Sequence, residues 1–172
     1  MDQVAILRRQ LGEDVVARAI ASLSEAERVE FESLTPVGWI EVDFATAVYV
    51  AAAREAGRDV DAVHRDAVRA GVERTFRSVW RLILRMTTDH ALVARTPLIY
   101  SKTHDLGKLT SRIAAPGRAE LTLEGWPGAD DFPLRGIAVG IETTLIVAGR
   151  KSVKVNFERR VDGAFFVASW RA

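Results

Sequence analysis

The sequence predicts a single α+β domain in which an N-terminal helical layer packs on a four-stranded antiparallel sheet. Apolar residues recur at helical spacing over residues 1–106, and strand-like alternation begins after Gly107. Two hairpin signals in residues 107–172 flank one continuous apolar stretch, so this segment is predicted to be strand, strand, helix, strand, strand. A sheet of short antiparallel strands needs one covered face, and we expect the first-half helices to supply it.

Length and composition agree with one domain over residues 1–172. The chain is 48% hydrophobic and 27% charged, which is enough apolar material for a sizeable core. It contains no cysteine, so disulfides, thiolate zinc sites, iron–sulfur clusters and a cysteine nucleophile are excluded. Neither a signal peptide nor a membrane-spanning run is apparent, and we expect a cytoplasmic location. The formal net charge of +1 disfavours a strongly charged partner.

Several short helices are predicted near the start of the chain. Gly12 separates two of them. Ser24 and Glu27 have the spacing of a capping box, in which each side chain accepts a hydrogen bond from a free backbone N–H at a helix start. A helix over residues 25–34 should follow and end before Pro36, since proline has no N–H to donate.

Three further helices are predicted before the sheet. Asp43 caps a helix over residues 44–56 that ends at Gly57. From Asp59 or Asp61 one long helix follows, which Gly71 interrupts or kinks. Its predicted buried stripe consists of Val68, Val72, Phe76, Val79, Trp80 and Ile83. The arginines of the opposite face are Arg65, Arg69, Arg77, Arg81 and Arg85. Another helix begins at Thr87–Asp89 and stops before Pro97 or bends there.

The second half contains two predicted hairpins. Residues 109–115 and 119–126 form strands joined at Pro116-Gly117. Residues 133–147 are apolar nearly all round and fit either one helix or two strands; their length favours a helix, which Gly149 ends. Gly136 and Gly140 should let this helix approach a neighbouring backbone closely. Alternation from Val153 and the turn Asp162-Gly163 predict the last two strands.

Element order, together with glycine and tryptophan placement, resembles a known family. The segments that show it are LGEDVVARAIASLSEAERVEFESLTPVGWIEVD, GVERTFRSVWRLILR, GRAELTLEGWP and GIETTLIVAGRKSVKVNFERRVDGAFFVASW. They resemble an uncharacterised myxobacterial family whose members have roughly 200 residues, the size of one domain. That family is distantly similar to the superfamily of heme-dependent nitric-oxide sensors, 4-vinyl-reductase-type ligand-binding domains and TRAPP vesicle-transport subunits. The resemblance implies helices on an antiparallel sheet, sometimes an apolar ligand cavity between them, and frequent dimerisation.

The sequence departs from the heme sensors in their binding residues. Those proteins use a helix-borne histidine for the iron and a Tyr-x-Ser-x-Arg motif for the heme propionates. Here the comparable stretch begins at Tyr100, with Thr103 and His104 where the motif ends in serine-x-arginine. The sequence therefore predicts no cofactor.

Candidate site residues follow from position and residue type. Phe76, Trp80 and Tyr100 are expected near any apolar ligand, because they come from the long helix and from the segment that joins helices to sheet. Lys102, His104 and Asp105 form a possible polar site in the connecting loop, but no third ligand completes a metal site. His64 is expected at the edge of a core, and His90 is expected to be exposed. No motif for a nucleophile, a phosphate loop or a catalytic residue is present.

Three functions remain open at this point. The leading hypothesis is a non-enzymatic interaction or sensory module that associates with a protein partner, most simply as a homodimer, and holds a small apolar ligand. The second is a sensor of heme or another small apolar molecule. The third is a nucleic-acid binder that uses the arginine row, although the nearby Asp61, Asp66 and Glu73 would oppose a polyanion.

Overall fold

The computed structural model describes residues 3–35, 40–76 and 79–171, the side chains of residues 79 and 80 excepted. Its fold is α+β, with helices in the first half and a four-stranded antiparallel sheet near the C-terminus. The predicted fold class is therefore confirmed. Backbone contacts divide the chain into an N-terminal unit, Met1–Gly71, and a C-terminal unit, Val72–Ala172.

The described part of the N-terminal unit consists of helices joined by short turns and loops. Its helices are α1 (Gln3–Leu11), α2 (Glu13–Ala21), α3 (Glu25–Ser33), α4 (Val42–Ala56) and α5 (Val60–Thr75), the last of which continues beyond Gly71. Helix α2 packs on α1 and α4. Leu7, Val16, Ala52 and Val63 are almost completely buried, so these helices share an apolar core.

Local signals in this unit act as predicted. Gly12 has φ +98°, a conformation that strongly favours glycine, and it separates α1 from α2. The Ser24 N–H donates to Glu27 Oε2 at 2.7 Å, and the Glu27 N–H donates to Ser24 Oγ at 3.3 Å, which completes the capping box. Gly57 ends α4 in the left-handed conformation at φ +61°.

Two predictions in this region are wrong. Helix α4 has Glu41 as its N-cap, so Asp43 lies in the first turn, where its charge still favours the helix dipole. The long helix ends at Thr75, and a separate helix α6 spans Val79–Met86, because apolar periodicity does not show where backbone hydrogen bonding stops.

The buried side of α5 also differs from the predicted stripe. Val63, Ala67 and Gly71 are buried, whereas Val68 and Val72 are only half-buried. The buried face of α5 is therefore turned by about one position relative to the expectation.

The C-terminal unit contains the predicted strand, strand, helix, strand, strand order. Beside α6, its elements are α7 (Asp89–Ser101), β1 (Lys108–Ala115), β2 (Arg118–Glu124), α8 (Asp131–Val147), β3 (Lys151–Arg160) and β4 (Gly163–Arg171). The strand order is β1-β2-β4-β3, and every neighbouring pair is antiparallel. Residues 133–147 are thus one helix, as predicted. No described helix is both long and apolar enough to cross a membrane.

One face of this sheet is buried by helices of the same unit. Leu109, Leu121, Leu123 and Phe166 lie on that face and are nearly inaccessible. Helix α7 packs on β1, and α8 packs on β3 and β4. Helix α7 belongs to the predicted helical layer of residues 1–106, so that part of the expectation is confirmed. That the helices of Met1–Gly71 also share this core stays a prediction.

Helix α7 continues through Pro97 instead of stopping before it. Proline has no N–H, so the carbonyl of Val93 loses its helical donor. Ser111 of β1 replaces it, because its hydroxyl donates to Val93 O at 2.7 Å. The proline is therefore tolerated through a hydrogen bond from the sheet.

Two glycines differ in their packing. A Cβ on Gly117, in the β1–β2 turn at φ +71°, would lie 2.4 Å from Trp170 O, so glycine is required there. A Cβ on Gly140 of α8 would meet nothing within 4 Å. The expected close approach of a neighbouring backbone at Gly140 is therefore wrong.

Candidate functional site

The turn between α7 and β1, residues 102–107, is organised around two stacked rings. Tyr100 is buried in the last turn of α7, and the His104 ring lies flat against it, with centroids 4.5 Å apart and an interplanar angle of 2°. The backbone N–H of His104 donates to the backbone carbonyl of Tyr100 at 2.8 Å. The Tyr100 hydroxyl donates to the backbone carbonyl of Leu106 at 2.5 Å. Tyr100 is thus hydrogen-bonded to the turn at His104 through its backbone and at Leu106 through its side chain.

The hydrogen bonds of Thr103 orient the His104 imidazole. The Thr103 hydroxyl lies 2.9 Å from His104 Nδ1, 3.1 Å from Tyr100 O and 3.2 Å from Ile99 O. A hydroxyl has one hydrogen, and the two carbonyls can only accept. We therefore assign that hydrogen to a carbonyl and a hydrogen to Nδ1, which donates to Thr103. In this tautomer Nε2 has the lone pair that a metal or a proton would use.

Burial and one nearby charge set the ionisation of both rings. Burial lowers the pKa of His104, although the backbone hydrogen bond at Tyr100 and the Asp105 carboxylate partly oppose this. Burial, and then the same carboxylate, raise the pKa of Tyr100 to about 12. At neutral pH the site therefore presents an uncharged imidazole and a protonated phenol.

The structure unites only some of the predicted site residues. Tyr100, His104 and Asp105 come together in this turn. Lys102 is exposed at the C-cap of α7. Among the described contacts of the turn Phe76 takes no part; it is half-buried just beyond α5. The side chain of Trp80 lies outside the described residues, as does Arg77.

The other histidines have different surroundings. His64 is buried on α5, and its ring packs on that of Tyr49 with centroids 4.7 Å apart. The Tyr49 hydroxyl bonds to Gln3 Oε1 at 3.1 Å, and burial raises the pKa of Tyr49. His90 is exposed in the first turn of α7, as predicted. Across the described ranges, no group of three His, Asp or Glu residues is arranged to hold a metal ion.

An ion-pair network around Arg150 was not predicted. The Arg150 side chain is 9% exposed, and its guanidinium pairs with Asp89 at 2.7 Å. It also donates to the carbonyls of Leu84, Thr87 and Ala148. Asp89 in turn accepts from Trp170 Nε1 at 3.0 Å. The ends of α6, α8 and β4 thereby meet the start of α7, and no motif in the sequence marks this arrangement.

The arginine row does not form one helical face. Arg65 and Arg69 lie on α5, whereas Arg81 and Arg85 lie on α6. Arg65, Arg81 and Arg85 are exposed, and Arg69 is half-buried. The continuous basic helix on which the nucleic-acid hypothesis depended is therefore absent from the described residues.

The N-terminal unit has an apolar cleft between α1, α2, α3 and α4. It is lined by Val4, Leu7, Val16, Ala19, Ile20, Leu23, Phe31, Val48, Ala51 and Ala52. The cleft encloses no space for a water-sized sphere, so its walls already touch, and it holds no preformed ligand cavity.

Comparison with solved structures identifies the fold. The chain is similar to a Cs H-NOX mutant, with a TM-score of 0.72 and 14% identity over 99% of this chain and 93% of that one. It is similar to an unliganded Fe(II) H-NOX mutant from K. algicida, with a TM-score of 0.70 and 10% identity over 99% and 93%. An oxygen-binding H-NOX domain related to soluble guanylate cyclases matches with a TM-score of 0.66 and 16% identity over 99% and 92%.

These neighbours confirm the predicted distant resemblance to the heme-NO-binding sensors. No protein-family model matches the chain, and no curated protein sequence matches it. The chain therefore has the fold of the H-NOX domains.

Proposed function

We propose that this chain is a non-enzymatic, ligand-binding sensory domain. The observation that supports this function is the similarity of nearly the whole chain, 99% of it, to H-NOX domains, among them one described by its heme distortion and one described as oxygen-binding. The cysteine-free sequence supports a cytoplasmic setting for such a domain.

Heme is the ligand that the neighbours imply, and the chemistry of the α7–β1 turn fits one iron ligand. A histidine that ligates heme iron must be neutral and have a free lone pair, and His104 would provide it through Nε2. Lys102 and Lys108 are exposed on either side of His104 in the chain, and their charge suits carboxylate groups such as propionates. When bound, heme would supply an iron centre for diatomic gases, while the protein orients and desolvates the imidazole.

Heme titration of the full chain tests this proposal. We expect saturable binding of one heme with a Soret band in absorption, and a shifted or lost band in His104→Ala. His90→Ala is the matched control, since His90 is exposed at the other end of α7, and it should behave as the wild type. Absence of saturable binding would reject heme. A Soret band that survives in His104→Ala would reject His104 as the ligand.

The non-enzymatic part of the proposal has a separate test. The purified chain should turn over no generic ester, phosphoester or redox substrate. Turnover that His104→Ala abolishes would show that the imidazole acts as a base or nucleophile, and the sensory proposal would then be wrong.

A further inference from the structure

Strand β3 is an edge of the sheet, because the strand order ends on it. It spans ten residues, Lys151–Arg160, so it is longer than a typical strand. Outside the β3–β4 ladder, the described backbone hydrogen bonds involve none of residues 153–159. A long edge with unpaired N–H and C=O groups is a template for another strand.

The β3–β4 hairpin determines which residues of β3 point their backbone groups outward. The loop has two residues, and Arg160 and Gly163 face each other across it. Such a closing pair is hydrogen-bonded, and bonded positions alternate along an antiparallel pair. Lys154, Asn156 and Glu158 therefore bond towards β4. Val155 and Phe157 direct their N–H and C=O groups to the open edge.

The side chains of β3 divide between two surfaces. Phe157 lies on the helix-covered face, where its ring contacts Phe166 at a centroid distance of 5.8 Å. Arg159, on that same face, pairs with Asp131 of α8 at 3.6 Å. Lys154, Asn156 and Glu158 project from the opposite, uncovered face and are exposed. An added strand would thus meet Lys154 and Glu158 on the uncovered face and Arg159 on the helix-covered face.

We propose that β3 pairs antiparallel with β3 of a second copy of this chain, centred on Asn156, to join the two sheets. Two-fold symmetry about Asn156 places Lys154 opposite Glu158 of the partner subunit, and the symmetry repeats that pair. It also places Val155 opposite Phe157 of the partner subunit, so the outward backbone groups of both residues find partners. This inference does not depend on heme or on the proposed function.

Charge selects this register over its neighbours. Centring the pair on Val155 would set Lys154 against Asn156 of the partner subunit, so Lys154 would face no opposite charge. Centring it on Phe157 would set Lys154 against Arg160 of the partner subunit, and like charges destabilise cross-strand pairs. If the two-fold axis passed between two residues instead of through one, backbone N–H and C=O groups that point to the open edge would face residues whose groups point towards β4. Centring on Asn156 is the register of these three that opposes unlike charges.

Charge exchange tests the proposal in the full chain, with the dimer dissociation constant measured by sedimentation. We expect a wild-type dimer, and we expect the dissociation constant to rise about tenfold or more for Lys154→Glu and for Glu158→Lys. By symmetry, each single exchange creates two pairs of like charges across the interface. The double exchange should restore the homodimer. An equimolar mixture of the two single variants should form a heterodimer, because their altered charges are complementary.

The control is Arg112→Glu, which makes the same charge change on β1 at the other edge of the sheet, and it should leave the dissociation constant unchanged. Rescue in the mixture also excludes misfolding of the single variants as the cause. A monomeric wild type, or a dimer that neither single variant weakens, would overturn the proposal. A chain that forms the dimer but binds no heme would contradict the heme proposal and leave the pairing of β3 strands supported.

Discussion

Arg150 is a nearly buried cation whose charge is compensated at several points. Asp89 neutralises it, and the carbonyls of Leu84, Thr87 and Ala148 accept most of its hydrogen bonds. Each carbonyl belongs to a helix end or the residues just after it, where acceptors are left over. The guanidinium therefore satisfies acceptors from two helices at once, which a lysine with its compact charge would not do as well.

Replacement of Arg150 by methionine should be strongly destabilising. The change removes the charge partner of Asp89, which keeps only the Trp170 Nε1 donor, and it takes a donor from each of three carbonyls. Because Asp89 is a third exposed, we expect a cost of about 2–3 kcal/mol in the free energy of unfolding, below that of a fully buried pair. Urea unfolding measures this. Arg159→Met is the control, because the Arg159–Asp131 pair is about half exposed on both sides and should contribute less than about 1 kcal/mol. Equal losses in the two variants would contradict this account of Arg150.

His104 should make stability depend on pH. Burial lowers its pKa in the folded state, so the unfolded chain binds the proton more readily. The contribution of His104 to stability is complete above its unfolded pKa of about 6.5 and is lost as pH falls through the lower folded value. Unfolding free energies measured from about pH 7.5 down to about pH 5 should fall less steeply in His104→Gln than in the wild type. An unchanged slope would show that His104 is not desolvated.

At the scale of elements, the tie between α7 and β1 depends on one pair of side chains. Pro97 removes a helical donor, and Ser111 supplies its replacement to Val93 O. We expect Ser111→Ala to cost about 1–3 kcal/mol, the penalty for an unsatisfied buried carbonyl. Pro97→Ala in the same background should recover much of that loss, because alanine brings back the N–H. A double-mutant cycle in urea measures the coupling, and additive effects would refute it.

The prediction of elements succeeded where the signal was local. Gly117, Asp162 and Gly163 mark the hairpin turns, and alternation marks the strands beside them, so β1 to β4 were predicted close to their observed bounds. The long helix failed because residues 60–86 have helical periodicity on both sides of the break after Thr75. Periodicity measures amphipathic character, and it does not mark the residue at which a helix ends.

At the scale of the molecule, the predicted single domain has a thermodynamic test. If residues 1–172 share one core, unfolding should be one cooperative transition for all probes. Far-ultraviolet circular dichroism follows the helices of both units, whereas in a Trp39→Phe variant the emission comes only from Trp80, Trp126 and Trp170 of the C-terminal unit. Coincident urea curves are expected. A helical transition that separates from the tryptophan transition would show two independently folded units.

The candidate site was predictable only in part. Tyr100 and His104 are four residues apart, so their proximity was foreseeable once a helix end was placed there, and Asp105 follows directly. Stacking of the rings and the role of Thr103 were not foreseeable, because they depend on side-chain rotamers at the end of α7. The Arg150 network joins residues 61 and 81 positions apart in the chain, and no local pattern encodes such a meeting.

The α+β class, the strand and helix order of the second half, the capping box and the turn glycines follow from the sequence alone. Each of these depends on backbone preferences within a few residues, which the local residue types specify directly. The tertiary structure decided which distant groups meet: the Ser111 donor for Val93, the Asp89 partner of Arg150 and the free edge of β3. These contacts depend on how whole elements pack, and packing is determined by the complete set of side chains rather than by any short segment.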